Sequence, residues 1–326
     1  MAKNKRLYDA ERYEVLAAAY AKEGTAVSSE SIGAYRTKVV QAGAYLYISC
    51  YPLIGAKADA EKEDALARLK SGTEQDRKVR VKYAKYNNAR RAREFEQLVH
   101  ANFEYNDFHV CCTYEHQDYE RRDQLEYRDR EDAKRDATNY IRRVKTLLKR
   151  HGCDLTEFRW IVCTVTKESR HETNRNPDSH HHHILMHGVP EGLRSELEKL
   201  WGFGWCNADR LQPNDKGLAA MAGYIARQEG SANGERPHEK SYRASRNIRR
   251  PAVSVSDRKI SRRRAAQIAA DVRVDGRDVL EKVWPGWRVV EEPTVWVSDF
   301  VPGAYIWAKL RKKEDVWDER RRRRML

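Results

Sequence analysis

Residues 180–187 read HHHHILMH, four consecutive histidines running straight into an apolar segment. Because the run flows into Ile184, Leu185 and Met186, it reads as a strand, and alternate strand residues share a face. His181 and His183 then point one way, His180 and His182 the other. Two imidazoles at i and i+2 are close enough to chelate one divalent ion, against the plainer reading of a histidine-rich strand edge. A third ligand is at hand if FRWIVCTVTKE (158–168) forms a hairpin with this strand, because Glu168 then comes near the pair. Two imidazoles and a carboxylate, with positions left for water and a phosphate oxygen, suit Mn²⁺ or Mg²⁺. Further along, GLAAMAGYIARQ predicts a helix whose small residues permit close approach to a sheet and which carries Tyr224. A tyrosine beside a metal-bound phosphate is a plausible nucleophile for phosphodiester chemistry. A helical tyrosine is more often core, and the chain has 17 of them.

The elements that would position these groups can be read from periodicity. Phe108, Val110, Cys112 and Tyr114 alternate with His109, Cys111 and Thr113, as in a strand. Residues 131–150 form an amphipathic helical pattern ended by Gly152, and ETNRNPDS (172–179) is turn-rich. The order strand, helix, strand, turn, strand, helix, short strand, helix predicts an α+β fold with a central antiparallel sheet and flanking helices. Helical patterns also occur at 7–21, 57–71 and 89–103, a strand pattern at 43–53, and a basic helix in KISRRRAAQIAADV. The expected organisation is a mostly helical N-terminal extension over 1–100, a catalytic domain over 101–230 and a basic C-terminal region over 231–326 that binds DNA or braces the core.

The 326 residues carry a formal net charge of +14, which attracts polyanions, nucleic acid first. Residues 236–264 hold eleven Lys/Arg against Glu239 and Asp257, and the tail ERRRRRML has five consecutive arginines. No apolar run approaches the length of a membrane span, and the N-terminus lacks the apolar core of a secretory signal, so a cytoplasmic protein is expected. The six cysteines lack metal-type spacing and are expected to be reduced thiols.

FHVCCTY, HHHHILM and GYIARQ, in that order, resemble the three motifs of rolling-circle replication initiators of the HUH endonuclease superfamily, of the type found on Gram-positive plasmids and mobile elements. NARRAREFEQLVHANFEYNDFHVCCTY, WIVCTVTKE and KSYRASRNIRRP are similar to the segments flanking those motifs, so the resemblance covers roughly residues 75–255. It implies a nickase in which His181, His183 and Glu168 hold Mn²⁺ or Mg²⁺. Tyr224 would attack single-stranded origin DNA, retain the 5′-phosphate and release a 3′-OH primer for a host polymerase. His183 abuts Ile-Leu-Met as the second ligand does in the family, which favours the pair 181/183 over 180/182. The middle residue, His182, departs from the hydrophobic pattern, and Arg227 stands where the family often has lysine. Arginine can hold a phosphate bidentately but stays charged and cannot shuttle a proton. Gln228, one helical turn after Tyr224, is a candidate polar support.

Relaxases carry their tyrosine before the histidine motif, so this order favours an initiator; a relaxase or transposase-like nuclease is the alternative within the superfamily. No GxxxxGK[ST] occurs in the sequence, which implies a host helicase. Tyr242, Arg243, Arg246, Asn247, Arg249 and Arg250 are the expected DNA-binding residues, combining cations with an aromatic platform. The remaining partners expected are a hairpin in the single-stranded origin, a duplex origin, no membrane and a possible oligomer. A different class of reading is a basic, non-enzymatic DNA-binding protein with a structural zinc, for which no second ligand pair has suitable spacing.

Overall fold

A computed structural model of the protein describes residues 32–54, 90–114, 130–167, 179–232, 242–297 and 303–313. It is a mixed α+β structure with two antiparallel sheets, each in its own compact unit: residues 92–250 form one, and residues 1–91 with 251–326 the other. The helical patterns at 7–21 and 57–71, Glu168 and the arginine tail lie outside the described residues.

The unit of residues 92–250 is built on five strands: β3 (Phe108–Thr113), β4 (Arg159–Lys167), β5 (Ser179–His187), β6 (Cys206–Arg210) and β7 (Arg243–Ala244). Their order is β6-β3-β5-β4-β7 and every pairing is antiparallel. The expected hairpin is present, with Lys167 opposite Ser179 and Arg159 opposite His187. The histidine strand β5 is therefore central, with a neighbour on each side.

One face of this sheet is covered by α2 (Arg130–Arg150) and α3 (Arg194–Lys199). Helix α2 forms because Ala133, Ala137, Tyr140, Ile141, Val144, Leu147 and Leu148 make one buried stripe. Acids in its first turn and bases in its last complement the helix dipole. It stops at Gly152, whose φ of 68° lets the next residues bond back to the last turn: Gly152 N–H donates to Lys149 C=O (3.1 Å) and Cys153 N–H to Leu148 C=O (3.0 Å). The opposite face is covered by α1 (residues 90–102) and α4 (Ala219–Ala232). Phe95, Leu98 and Val99 from α1 join Ala222 and Ile225 from α4 over Ile161, Cys163 and Leu185 of the sheet.

The second unit corrects the expected organisation. The N-terminal region 1–100 and the C-terminal region 231–326 are not independent pieces: described strands from both share one sheet. Strands β1 (Ile32–Ala42) and β2 (Tyr45–Ile54) pair with β8 (Ala252–Ser256) and β11 (Ala304–Lys312). The order is β10-β11-β2-β1-β8, where β10 is Thr294–Val297, and β9 (Trp287–Val289) also pairs with β11. Partner choice between segments about 200 residues apart in the chain leaves no local pattern from which this grouping could be read. Helices α5 (Arg262–Ala270) and α6 (Asp275–Val283) cover one face through Ala265, Ile268, Val279 and Leu280. Among the described residues no helix is long and apolar enough to cross a membrane, and all six cysteines are free thiols.

Candidate functional site

Strand parity separates the four histidines into two groups with opposite roles. On the face toward α4, His181 and His183 lie beside His109 and Cys111 of β3 and Cys163 and Val165 of β4. The His181 and His183 rings meet edge-on with centroids 5.1 Å apart. Tyr224 projects from α4 onto the same place, its ring 5.7 Å from that of His183 and nearly perpendicular to it. Ala222, two residues before Tyr224 and fully buried, lets α4 approach the sheet closely. Tyr224 is 48% exposed, so its side chain is accessible from solvent.

On the opposite face, His182 is fully buried under α2 and Trp201. Thr164 Oγ1 lies 3.0 Å from His182 Nδ1, and Tyr114 Oη lies 3.2 Å from Nε2. Tyr114 in turn donates to Asp136 Oδ2 at 3.1 Å. One proton arrangement satisfies the chain: Thr164 donates to Nδ1, Nε2–H donates to the tyrosine oxygen, and the tyrosine donates to Asp136. Burial, reinforced by the neighbouring His181, His180, Arg243 and His183, pushes the His182 pKa down to about 3. His182 is thus a neutral core group with both nitrogens engaged, which removes the 180/182 ligand pair from consideration.

His109 of β3 completes the α4 face. Its Nε2 is 3.1 Å from His183 Nδ1, and the two rings stack with centroids 5.3 Å apart. Burial lowers the His109 pKa, with Asp209 acting in the opposite sense, which favours the neutral ring. In the tautomer where His109 Nε2 accepts from His183 Nδ1–H, His183 Nε2 is left with its lone pair free for a ligand. The period-2 alternation already placed His109 and Cys111 on one face of β3. What the sequence lacked was the register that puts that face beside His183.

Trp205 is a second missed residue. It is 58% exposed, and its C=O accepts a 2.8 Å bond from Thr113 N–H. Thr113 is the register partner of His181, so this exposed indole sits at the histidine end of the sheet. An isolated tryptophan after Gly204 gives no sequence signal of that placement.

Arg227 and Gln228 continue α4 beyond Tyr224, with side chains outside the described residues, as is Glu168. Among the described residues, no three His, Cys, Asp or Glu side chains come together as a metal-holding group. The six residues expected to bind DNA divide. Tyr242 packs its ring 5.4 Å from Phe95. Arg243 donates to Lys134 C=O (2.7 Å) and to Thr138 Oγ1, and its pKa is lowered by burial. Asn247 donates to the carbonyls of Thr156 (2.7 Å) and Phe158 (3.2 Å). These contacts tie the segment to α1, to α2 and to the turn before β4. Arg246, Arg249 and Arg250 are exposed; Arg249 lies 3.7 Å from Glu157 and keeps 62% side-chain exposure.

No protein-family model, curated protein or solved structure matches the chain.

Proposed function

We propose that the chain is a metal-assisted, single-strand DNA nickase and strand transferase of the HUH type, acting as a rolling-circle replication initiator. The observation that carries the proposal is the meeting of His181, His183 and an accessible Tyr224 on one face of the central sheet. His181 and His183 would hold Mn²⁺ or Mg²⁺, joined by Glu168. The donor set supports this: two imidazoles share one strand face, and the second nitrogen of one is engaged by His109. When bound, such an ion supplies Lewis-acid polarisation of the scissile phosphate.

The protein groups then divide the work. Tyr224 Oη attacks phosphorus, forming the O–P bond to the 5′-phosphate as the P–O3′ bond breaks. The phenol proton passes to solvent and the departing 3′-oxygen takes one up, so the products are a 5′-phosphotyrosine and a free 3′-OH. A later attack by a 3′-OH on the phosphotyrosine rejoins the strand and regenerates the phenol. Arg227, three residues after Tyr224 on a helix, falls near its face and can clamp a phosphate, and Gln228 follows one turn on. Arg246, Arg249 and Arg250 supply cations for the backbone of the strand, and Trp205 a stacking surface. A host helicase and polymerase would open the duplex and extend the primer.

The test is incubation of the full chain with 3′-labelled single-stranded oligonucleotides of randomised sequence and Mn²⁺, resolved under denaturing conditions. Labelled protein is expected, and is expected to vanish in EDTA, in Tyr224→Phe and in His181→Ala/His183→Ala. Labelled Tyr224→Phe overturns the nucleophile; no adduct with any strand favours a DNA-binding protein without nicking activity.

A further inference from the structure

Residues 258–292 hold a feature that the nicking site does not use. Helices α5 and α6, nine residues each, are joined by a four-residue turn, Asp271–Val274. Ser261 caps α5 through Arg264 N–H (3.3 Å), and the Asp271 carboxylate accepts from Arg273 and Val274 N–H, both at 3.0 Å. Gly276 N–H returns to Asp271 C=O at 2.7 Å. A Cβ at Gly276 would stand 3.1 Å from that carbonyl oxygen and 3.4 Å from Ile268 Cγ2, so glycine is what lets the second helix close onto the first. Ala265, Ile268, Val279, Leu280 and Trp284 bury the inner faces against the sheet.

The outer faces are unlike each other. Arg258, Lys259, Arg262, Arg263 and Arg264 are all exposed at and before the start of α5. The one acid beside them, Asp257, is held by Arg36 through two 2.7 Å bonds and does not offset the cluster. The start of α6 instead mixes charge around an apolar residue: Val274 is 62% exposed, Asp275 and Asp278 are exposed, and the exposed Arg273 and Arg277 donate to Glu292 Oε1 (3.2 Å) and Val289 C=O (3.1 Å). We infer that this pair is a helix-turn-helix that reads duplex DNA, the arginines of α5 holding phosphates and the N-terminal end of α6 entering the major groove. The division fits that partner. Cations contact the backbone, whereas an apolar group can meet a thymine methyl and a carboxylate can accept from a cytosine amino group. An acidic lipid surface offers no use for the carboxylates of α6, and a single strand offers no groove. The inference stands apart from the nicking reading, since it involves none of the residues of that site.

The experiment measures binding of the full chain, in EDTA so that nicking is suppressed, to a randomised short duplex, to the same strands unpaired and to phosphatidylserine vesicles. The variants are Arg258→Ala/Arg263→Ala/Arg264→Ala, which keeps helix-favouring residues in α5, and Asp278→Asn. The triple variant is expected to bind duplex about tenfold or more weakly, and to flatten the salt dependence by about one unit of log–log slope per arginine. Its single-strand binding should be unchanged. Asp278→Asn should alter the sequences selected from a duplex pool without altering that slope. Parent affinity and slope for duplex in the triple variant overturn the inference. So does a loss confined to single strands or to vesicles, or a selected sequence that Asp278→Asn leaves unchanged. A thermal unfolding midpoint equal to the parent's shows that the triple variant is folded; if it is not, Arg263→Ala alone is scored by the same slope.

Discussion

His109 Nε2 lies 3.1 Å from His183 Nδ1, so the central histidine of the site is oriented by a neighbour on the adjacent strand. That contact predicts that His109→Leu weakens Mn²⁺ binding about 10–100-fold, measured by titration calorimetry. His109→Gln, which keeps an acceptor, should recover much of the loss. Unchanged Mn²⁺ affinity in the leucine variant would mean that His109 only fills space.

His182, one residue from both candidate ligands, should behave in the opposite way. Replacing it with leucine leaves Tyr114 and Thr164 without their shared partner in a buried setting. A loss of about 1–3 kcal/mol in unfolding free energy follows, while Mn²⁺ affinity is retained. Chemical denaturation and metal titration on the same sample separate the two effects, and lost metal affinity at parent stability would reverse the assignment of the two faces.

This contrast shows how far the sequence could be read. Period-2 alternation was enough to split His181 and His183 from His180 and His182, and the apolar stripes gave α2, β3, β4 and β5. It did not say which face α4 would cover, because that depends on helix packing between Ala222, Ile225 and Cys163. Strand β1 and helix α6 went unread: IGAYRTKVVQA mixes charge into its pattern, and DGRDVLEKV is short and acid-rich. Composition marks Arg243 and Asn247 as DNA contacts but does not carry their bonds to the carbonyls of Lys134, Thr156 and Phe158.

Trp205 tests the course of the single strand. If it stacks a base, Trp205→Ala should lower single-strand affinity by about 1–3 kcal/mol, read by fluorescence anisotropy, with the folded stability intact. Equal affinity would place the strand elsewhere.

Gly188 follows β5 directly with φ of 79°, and a Cβ there would meet Glu157 C=O at 3.0 Å. Gly188→Ala therefore combines a left-handed backbone with a backbone clash, and should destabilise the fold by about 1–3 kcal/mol. A melting temperature equal to the parent's would contradict the close approach.

Burial pushes the Cys50 thiol up to about 12, against a smaller opposing effect of its bond with Thr37. A raised thiol pKa favours the folded state while the thiol is protonated. The contribution is complete below the ordinary value of 9.0 and fades as pH rises from there toward about 12. Parent stability should therefore fall more steeply over that window than that of Cys50→Val, as followed by denaturant titration at stepped pH. Parallel curves would show that the thiol does not titrate with unfolding.

Covalent attachment of Tyr224 to DNA is tested directly by peptide mapping. Trypsin cleaves after Lys216 and Arg227, releasing GLAAMAGYIAR, in which Tyr224 is the sole tyrosine. After reaction with single-stranded DNA and Mn²⁺ and digestion of the nucleic acid, tandem mass spectrometry should find a nucleotide 5′-phosphate on that residue. A nucleotide on any other tyrosine, or a cut strand with this peptide unmodified, would contradict the account.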